Sequence, residues 1–165
     1  VWTCASFAAL ALALAGCGQS FREKLRQTWT LSSFKCNGVA NSSYAAALAS
    51  GSSVTLLIED ATYRKTFASS SCSHVYQGTY ITLPGETGVS LQDTGTVGCT
   101  PASCSLQTEF SLAASLCTSA VTSATTPSVA FRDEGNTHYI DMTNTSVDCD
   151  GGGVANDTKI ETYQR

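Results

Sequence analysis

The sequence has little charge for its length: 13% of its 165 residues are charged, 9 basic against 13 acidic, for a net charge of −4. No run of Lys or Arg occurs, which argues against nucleic acid as a partner. The only histidines, His74 and His138, stand far apart, and no C-x-x-C pair exists, so the ligand spacing of a zinc site is missing. G-x-S-x-G, H-E-x-x-H and the phosphate-binding loop are missing as well. The chain is therefore not expected to be an enzyme, and neither a cofactor nor a metal is expected. No apolar run approaches the ~20 residues of a membrane-spanning helix.

The longest apolar run, Ala5 to Ala15 broken by Ser6, would be about 16 Å long as a helix against a hydrocarbon core of about 30 Å. Its length and the small residues that follow fit the h-region and cleavage region of a signal peptide. Leu14-Ala15-Gly16-Cys17 resembles the lipobox of a bacterial lipoprotein. The resemblance implies that residues 1–16 are removed on export and that Cys17 carries a diacylglyceryl thioether and a further acyl chain. Several chains together anchor a protein durably to a membrane. Gly18 rather than Asp after the lipid site implies the outer membrane in the Gram-negative pattern. Val1-Trp2-Thr3 lacks the basic residues that open a signal peptide, and these are expected upstream. Residues 17–27 read as a tether with at most one helical turn, and 28–165 as a single domain of ordinary size.

Of the 8 cysteines, Cys4 falls in the signal and Cys17 at the lipid site. The other six, Cys36, Cys72, Cys99, Cys104, Cys117 and Cys149, read as three disulfides in an exported chain. Connectivity is largely open, but Cys99-Thr-Pro-Ala-Ser-Cys104 is the most readily closed, because Pro101 turns the chain between its thiols. That loop would remove only about 2 kcal/mol of unfolded-state entropy, whereas a Cys36–Cys149 bridge would remove about 5 kcal/mol.

Abundant Ser and Thr with few charges favour β structure. Strands are expected at Thr28–Cys36, with Trp29 and Leu31 on one face, and at Val54–Glu59 and Tyr63–Phe67, joined by a turn at Asp60-Ala61. Tyr63, Lys65 and Phe67 share a face, with Lys65 at its rim. In His74–Leu83, Tyr76, Gly78, Tyr80 and Thr82 share a face, and Gly78 marks a bend or a close backbone approach. Val89–Val97, Leu106–Leu112, Val129–Arg132 with Thr137–Met142, and Thr158–Tyr163 complete the set. A short helix is expected over Tyr44–Ala49, capped by Ser42 or Ser43, and Ala113–Ser128 is a helix or a covering loop. His74 and His138 are expected at the surface or rim. Asp148–Gly153 reads as an Asp/Gly turn, because in EF-hand register the twelfth position would be Lys159 and the fifth Gly152.

Eight or nine short strands with regular turn signals point to an all-β antiparallel barrel, with a β-sandwich as the alternative. An early W-x-L strand (Trp29, Leu31) running into Cys36-Asn37-Gly38, a central G-x-Y (Gly78, Tyr80) and a closing Tyr-x-Arg (Tyr163, Arg165) resemble bacterial lipocalin-like lipoproteins. The resemblance implies an eight-stranded up-and-down β-barrel with one or two short helices, closed where Arg165 packs on Trp29. Gln27 stands where the lipocalin G-x-W pattern has Gly. An eight-stranded barrel is just wide enough to be filled by side chains or to hold one small ligand. Leu31, Phe67, Tyr76, Tyr80, Phe110, Phe131 and Tyr139 are the candidate lining. The functional expectation is an envelope binding module for a small apolar ligand or an envelope partner. An inhibitor of an envelope-directed enzyme and a purely structural lipoprotein are the alternatives.

Overall fold

The computed structural model describes residues 20–94, 98–104, 106, 110, 117, 124–149 and 152–165. The signal segment and Cys17 lie outside them, as do most of Leu106–Leu112 and Ala113–Ser128. The described residues start with a five-residue helix, α1 (Phe21–Leu25), and the strands β1 (Thr28–Cys36) and β2 (Val39–Ala40). A second helix, α2 (Ser42–Ala49), leads into β3 (Ser53–Ile58), β4 (Thr62–Ala68), β5 (Ser73–Thr82) and β6 (Val89–Asp93). Then come β7 (Gly98–Thr100), β8 (Ala124–Thr125), β9 (Ser128–Glu134), β10 (Thr137–Val147) and β11 (Asp157–Gln164).

All eleven strands of the described residues belong to one sheet, in the order β8-β6-β5-β4-β3-β1-β11-β10-β9, with β2 on β1 and β7 on β5. Every pairing is antiparallel. The described strands thus form one continuous sheet rather than the two packed sheets of a sandwich. The sheet is curled: β4 and β11, separated in that order by β3 and β1, touch across its concave side through Lys65 and Glu161, 2.7 Å apart. Its two ends also meet locally, where the Val89 N–H donates to the Pro127 carbonyl at 3.1 Å and the Val129 N–H to the Thr87 carbonyl at 3.0 Å.

Two-residue periodicity sets the inner face. Trp29 and Leu31 on β1, Val54, Leu56 and Ile58 on β3, and Ile140 and Met142 on β10 are all buried in one core. Each large side chain so buried stabilises the fold by about 1.5–3 kcal/mol. A register shift between Leu31 and Ser33 lets Phe34 and Cys36 face inward beyond it. At Gly78 the close approach is extreme: a Cβ there would lie 2.0 Å from the Gln92 carbonyl oxygen of β6.

Helices cover the two ends. Residues 20–27 of the expected tether belong to the folded unit instead, because Phe21 and Leu25, one helical turn apart, are both buried in the core. Ser20 and Glu23 form a capping box that starts α1. Phe21 packs edge-on against Phe131, with centroids 5.3 Å apart. At the other end α2 is capped by Asn41, one residue earlier than expected, and lays Tyr44 flat on Phe34 at 4.4 Å.

Three disulfides join Cys36 to Cys149, Cys72 to Cys104 and Cys99 to Cys117. The expected Cys99–Cys104 bridge does not form. Gly98–Thr100 is taken into the sheet as β7, which pairs Cys99 with His74 of β5 and turns it toward Cys117, leaving Cys104 for Cys72. The sequence separations of 113, 32 and 18 correspond to losses of unfolded-state entropy of about 5, 4 and 3 kcal/mol. Such bridges form and persist in an oxidising compartment, which places the folded chain in an exported setting. Among the described residues no helix is long and apolar enough to cross a membrane. The double substitution Cys36→Ala/Cys149→Ala, which opens the longest loop, is expected to cost about 3–5 kcal/mol in denaturant unfolding, more than opening either shorter loop.

Candidate functional site

The concave side of the sheet is not completely filled. A cavity of about 220 Å³ lies between β4, β5, β6, β10 and β11, with the β8–β9 junction at its edge. Phe67, Tyr76, Leu91 and Met142 form its apolar wall, with Pro127 beside them. Its polar side is made by Tyr63, Lys65, Asp93, Asn144, Lys159 and Glu161. Alternation puts these groups inside: Lys159 and Glu161 share an inner face with Tyr163 on β11, and Lys65 sits between Tyr63 and Phe67 on β4.

Glu161 is the hub. Its Oε1 lies 2.7 Å from Lys65 Nζ and 3.8 Å from Lys159 Nζ, and the Tyr163 hydroxyl donates to its Oε2 at 3.3 Å. The side chains of Lys65, Glu161 and Lys159 are 18%, 8% and 24% exposed. Lys65, expected at the rim, is thus turned inward, because curling brings β11 opposite β4 and supplies its counter-charge. The Lys65 ammonium also stands 5.2 Å over the Phe67 ring and 5.9 Å over that of Tyr163.

Burial alone would raise the pKa of the Glu161 carboxyl. Lys65 and Lys159, with hydrogen bonds from Lys65 and Tyr163, reverse that and hold it well below the usual carboxylate range. Burial likewise disfavours the Lys65 charge, but Glu161 outweighs it and the pKa ends above the ordinary lysine value. At Lys159 the balance runs the other way: Glu161 favours the cation, yet burial and repulsion from Lys65 together lower the pKa. Burial raises the Tyr63 phenol, and so does the hydrogen bond that its hydroxyl donates to Asp93.

Of the candidate lining, Phe67 and Tyr76 border this cavity. Phe131 and Tyr139 border a separate recess of about 90 Å³ beside Trp29 and Arg165. Leu31, Tyr80 and Phe110 are buried in the core and do not line this cavity. The Phe110 N–H donates to the Leu106 carbonyl at 2.7 Å, a helical bond where a strand was expected. Tyr63 and Lys65, expected only to share a face with Phe67, and Lys159 and Glu161 were not among the expected site residues. Their signal was the alternation itself, which places the charges of T-K-I-E-T-Y on the parity of a buried tyrosine.

At the end covered by α1, the Arg165 guanidinium lies 5.3 Å over the Trp29 ring, and the indole N–H donates to the Leu25 carbonyl at 2.9 Å. Gln27, in the position where the lipocalin pattern has Gly, accepts a hydrogen bond from that guanidinium. His138 is half exposed and pairs with Asp133 at 2.6 Å. His74 is 0% exposed, against the expected surface position, because it lies beneath both neighbouring disulfides. Its Nε2–H donates to the Cys104 carbonyl at 3.2 Å, with Cys117 Sγ 3.8 Å away. His74 and the sulfurs around it have metal-ligand spacing, but those sulfurs are tied up in two S–S bonds and offer no thiolate. In the Asp/Gly turn, Asp148 accepts from the Gly153 N–H at 2.9 Å and Asp157 from the Cys149 N–H at 2.9 Å, so both carboxylates hold the loop.

No protein-family model matches this chain, and no curated protein or solved structure matches it.

Glu161→Gln leaves the inward Lys65 without its counter-charge and is expected to cost about 3–5 kcal/mol in urea unfolding, whereas Lys65→Met/Glu161→Leu, which removes the close pair together and leaves only the more exposed Lys159 without its acid, is expected to cost less. Folding depresses the Glu161 pKa, so its contribution to stability is complete above the unfolded carboxylate pKa and is lost as pH falls toward the folded one. Wild-type stability is therefore expected to decline below about pH 4–5, with a flatter decline in the double variant.

Proposed function

We propose that this protein is an exported envelope lipoprotein, anchored through Cys17, whose barrel binds one small ligand in its interior. The observation that carries the reading is the cavity of about 220 Å³ on the concave side, lined by apolar side chains together with a buried charged network. A core built for stability alone would be close-packed and apolar there. Retaining charged groups with costly desolvation beside unfilled space is the pattern of a binding site.

The proposed architecture is an eight-stranded up-and-down barrel of lipocalin type. It follows from reading β8 and β9, separated by Thr126-Pro127, as one strand that pairs with β6 on one flank and β10 on the other. With β2 and β7 as appendages, the other strands then succeed one another around the barrel in chain order. The Arg165–Trp29 contact and the W-x-L, G-x-Y and Y-x-R residues support the same family reading. Anchoring in the outer membrane is supported by Leu14-Ala15-Gly16-Cys17 with Gly18, and by the exported setting that the disulfides require. The activity proposed is binding rather than catalysis.

Native mass spectrometry of protein purified from its own envelope tests both parts. The expected spectrum has two features: a covalent mass for the lipid on Cys17, retained on denaturation, and a further small-molecule mass that denaturation releases. A native mass equal to the denatured mass overturns interior binding, and an unmodified Cys17 overturns the anchor.

A further inference from the structure

The charged side of the cavity is unbalanced. Two ammonium groups share one carboxylate, with Lys65 held close to Glu161 at 2.7 Å and Lys159 more loosely at 3.8 Å. One positive charge is left over in a place poorly reached by water, where an uncompensated charge is costly. Asp93, the other acid of the lining, stands on β6 rather than at the lysines and accepts the Tyr63 hydroxyl. An anion is therefore attracted to the β11 side of the cavity and repelled from the β6 side.

Size and wall chemistry narrow the class further. The volume of about 220 Å³ falls below the ~300–1,000 Å³ of pockets for drug-sized ligands, which leaves no room for a long acyl chain. The apolar part of the lining carries the rings of Phe67 and Tyr76 with Leu91 and Met142, a surface suited to a flat apolar body. Asn144 pairs with Lys159 across β10 and β11 and also lines the cavity, so its amide lies next to the surplus cation.

Resting on the reading of the interior as a binding space, we infer that its ligand is a small aromatic monocarboxylate, held by the Lys159 ammonium with its ring against the Phe67, Tyr76, Leu91 and Met142 wall. Lys65 stays bound to Glu161 in the complex. The carboxylate supplies the missing negative charge and restores the Lys159 cation that burial and Lys65 disfavour.

Calorimetric titration of the full, disulfide-intact protein with 3-phenylpropanoate tests this against two comparators, the uncharged 3-phenylpropan-1-ol and dodecanoate. The expected order has phenylpropanoate binding at least tenfold tighter than the alcohol and tighter than dodecanoate. Lys159→Met is expected to erase the margin over the alcohol, and Lys159→Arg to keep most of it. Alcohol binding that survives in Lys159→Met also shows that the variant is folded. An alcohol as tight as the acid, a preference for dodecanoate, or an unchanged margin in Lys159→Met overturns the carboxylate assignment and leaves interior binding standing. Failure of all three compounds overturns the assignment too, and only a native mass spectrum without a released ligand extends that failure to the interior site.

Discussion

One carboxylate organises the inside of this molecule. Glu161 sits on β11 with Lys65 reaching it from β4 and Lys159 from its own strand, so a single acid bridges parts of the sheet that are not neighbours in hydrogen-bonding order. The contact exists only because the sheet curls, and it constrains the curl in return: flattening the sheet would separate Lys65 from Glu161 with both still largely out of water. Buried pairs are a weak source of net stability, since desolvation offsets most of the attraction. Their persistence beside an unfilled cavity is the reason to read the interior as a site rather than as a core.

The rest of the fold holds that arrangement in place. At one end Trp29 is fixed by the Leu25 carbonyl and covered by Arg165, which is itself held by Gln27. At the other, α2 lays Tyr44 against Phe34, and the Cys36–Cys149 bridge ties the end of β1 to the loop that precedes β11. Asp157 at the start of β11 bonds Asn37 and the Cys149 N–H, so the strand carrying Lys159 and Glu161 is secured where it enters the sheet. The two remaining disulfides enclose His74 beside β5 and β7.

Much of the fold was legible because strands announce themselves by period two. The Tyr63-x-Lys65-x-Phe67 face, the hairpin at Asp60-Ala61, the α2 helix and the constrained Gly78 all follow from local pattern. The errors share a cause, which is long-range geometry. Lys65 reads as a rim residue because its partner lies 96 positions away on a strand that only curling brings near. Cys99 and Cys104 read as partners because they are close in sequence, whereas pairing of β7 with β5 sends each to a different thiol. The α1 segment was allowed one helical turn but read as a tether, and its burial was missed although its Ser20–Glu23 capping box and the Phe21–Leu25 spacing were both present.

The account stands or falls on whether the space between Phe67, Tyr76 and Lys159 is occupied by something other than the chain itself. A high-resolution crystal structure of protein isolated from its native envelope without denaturation answers this most directly. The account predicts non-protein density there, with a charged end within hydrogen-bonding distance of Lys159 Nζ. Side chains from the neighbouring strands packed through the same volume, with the Lys159 ammonium turned out to solvent, would contradict it.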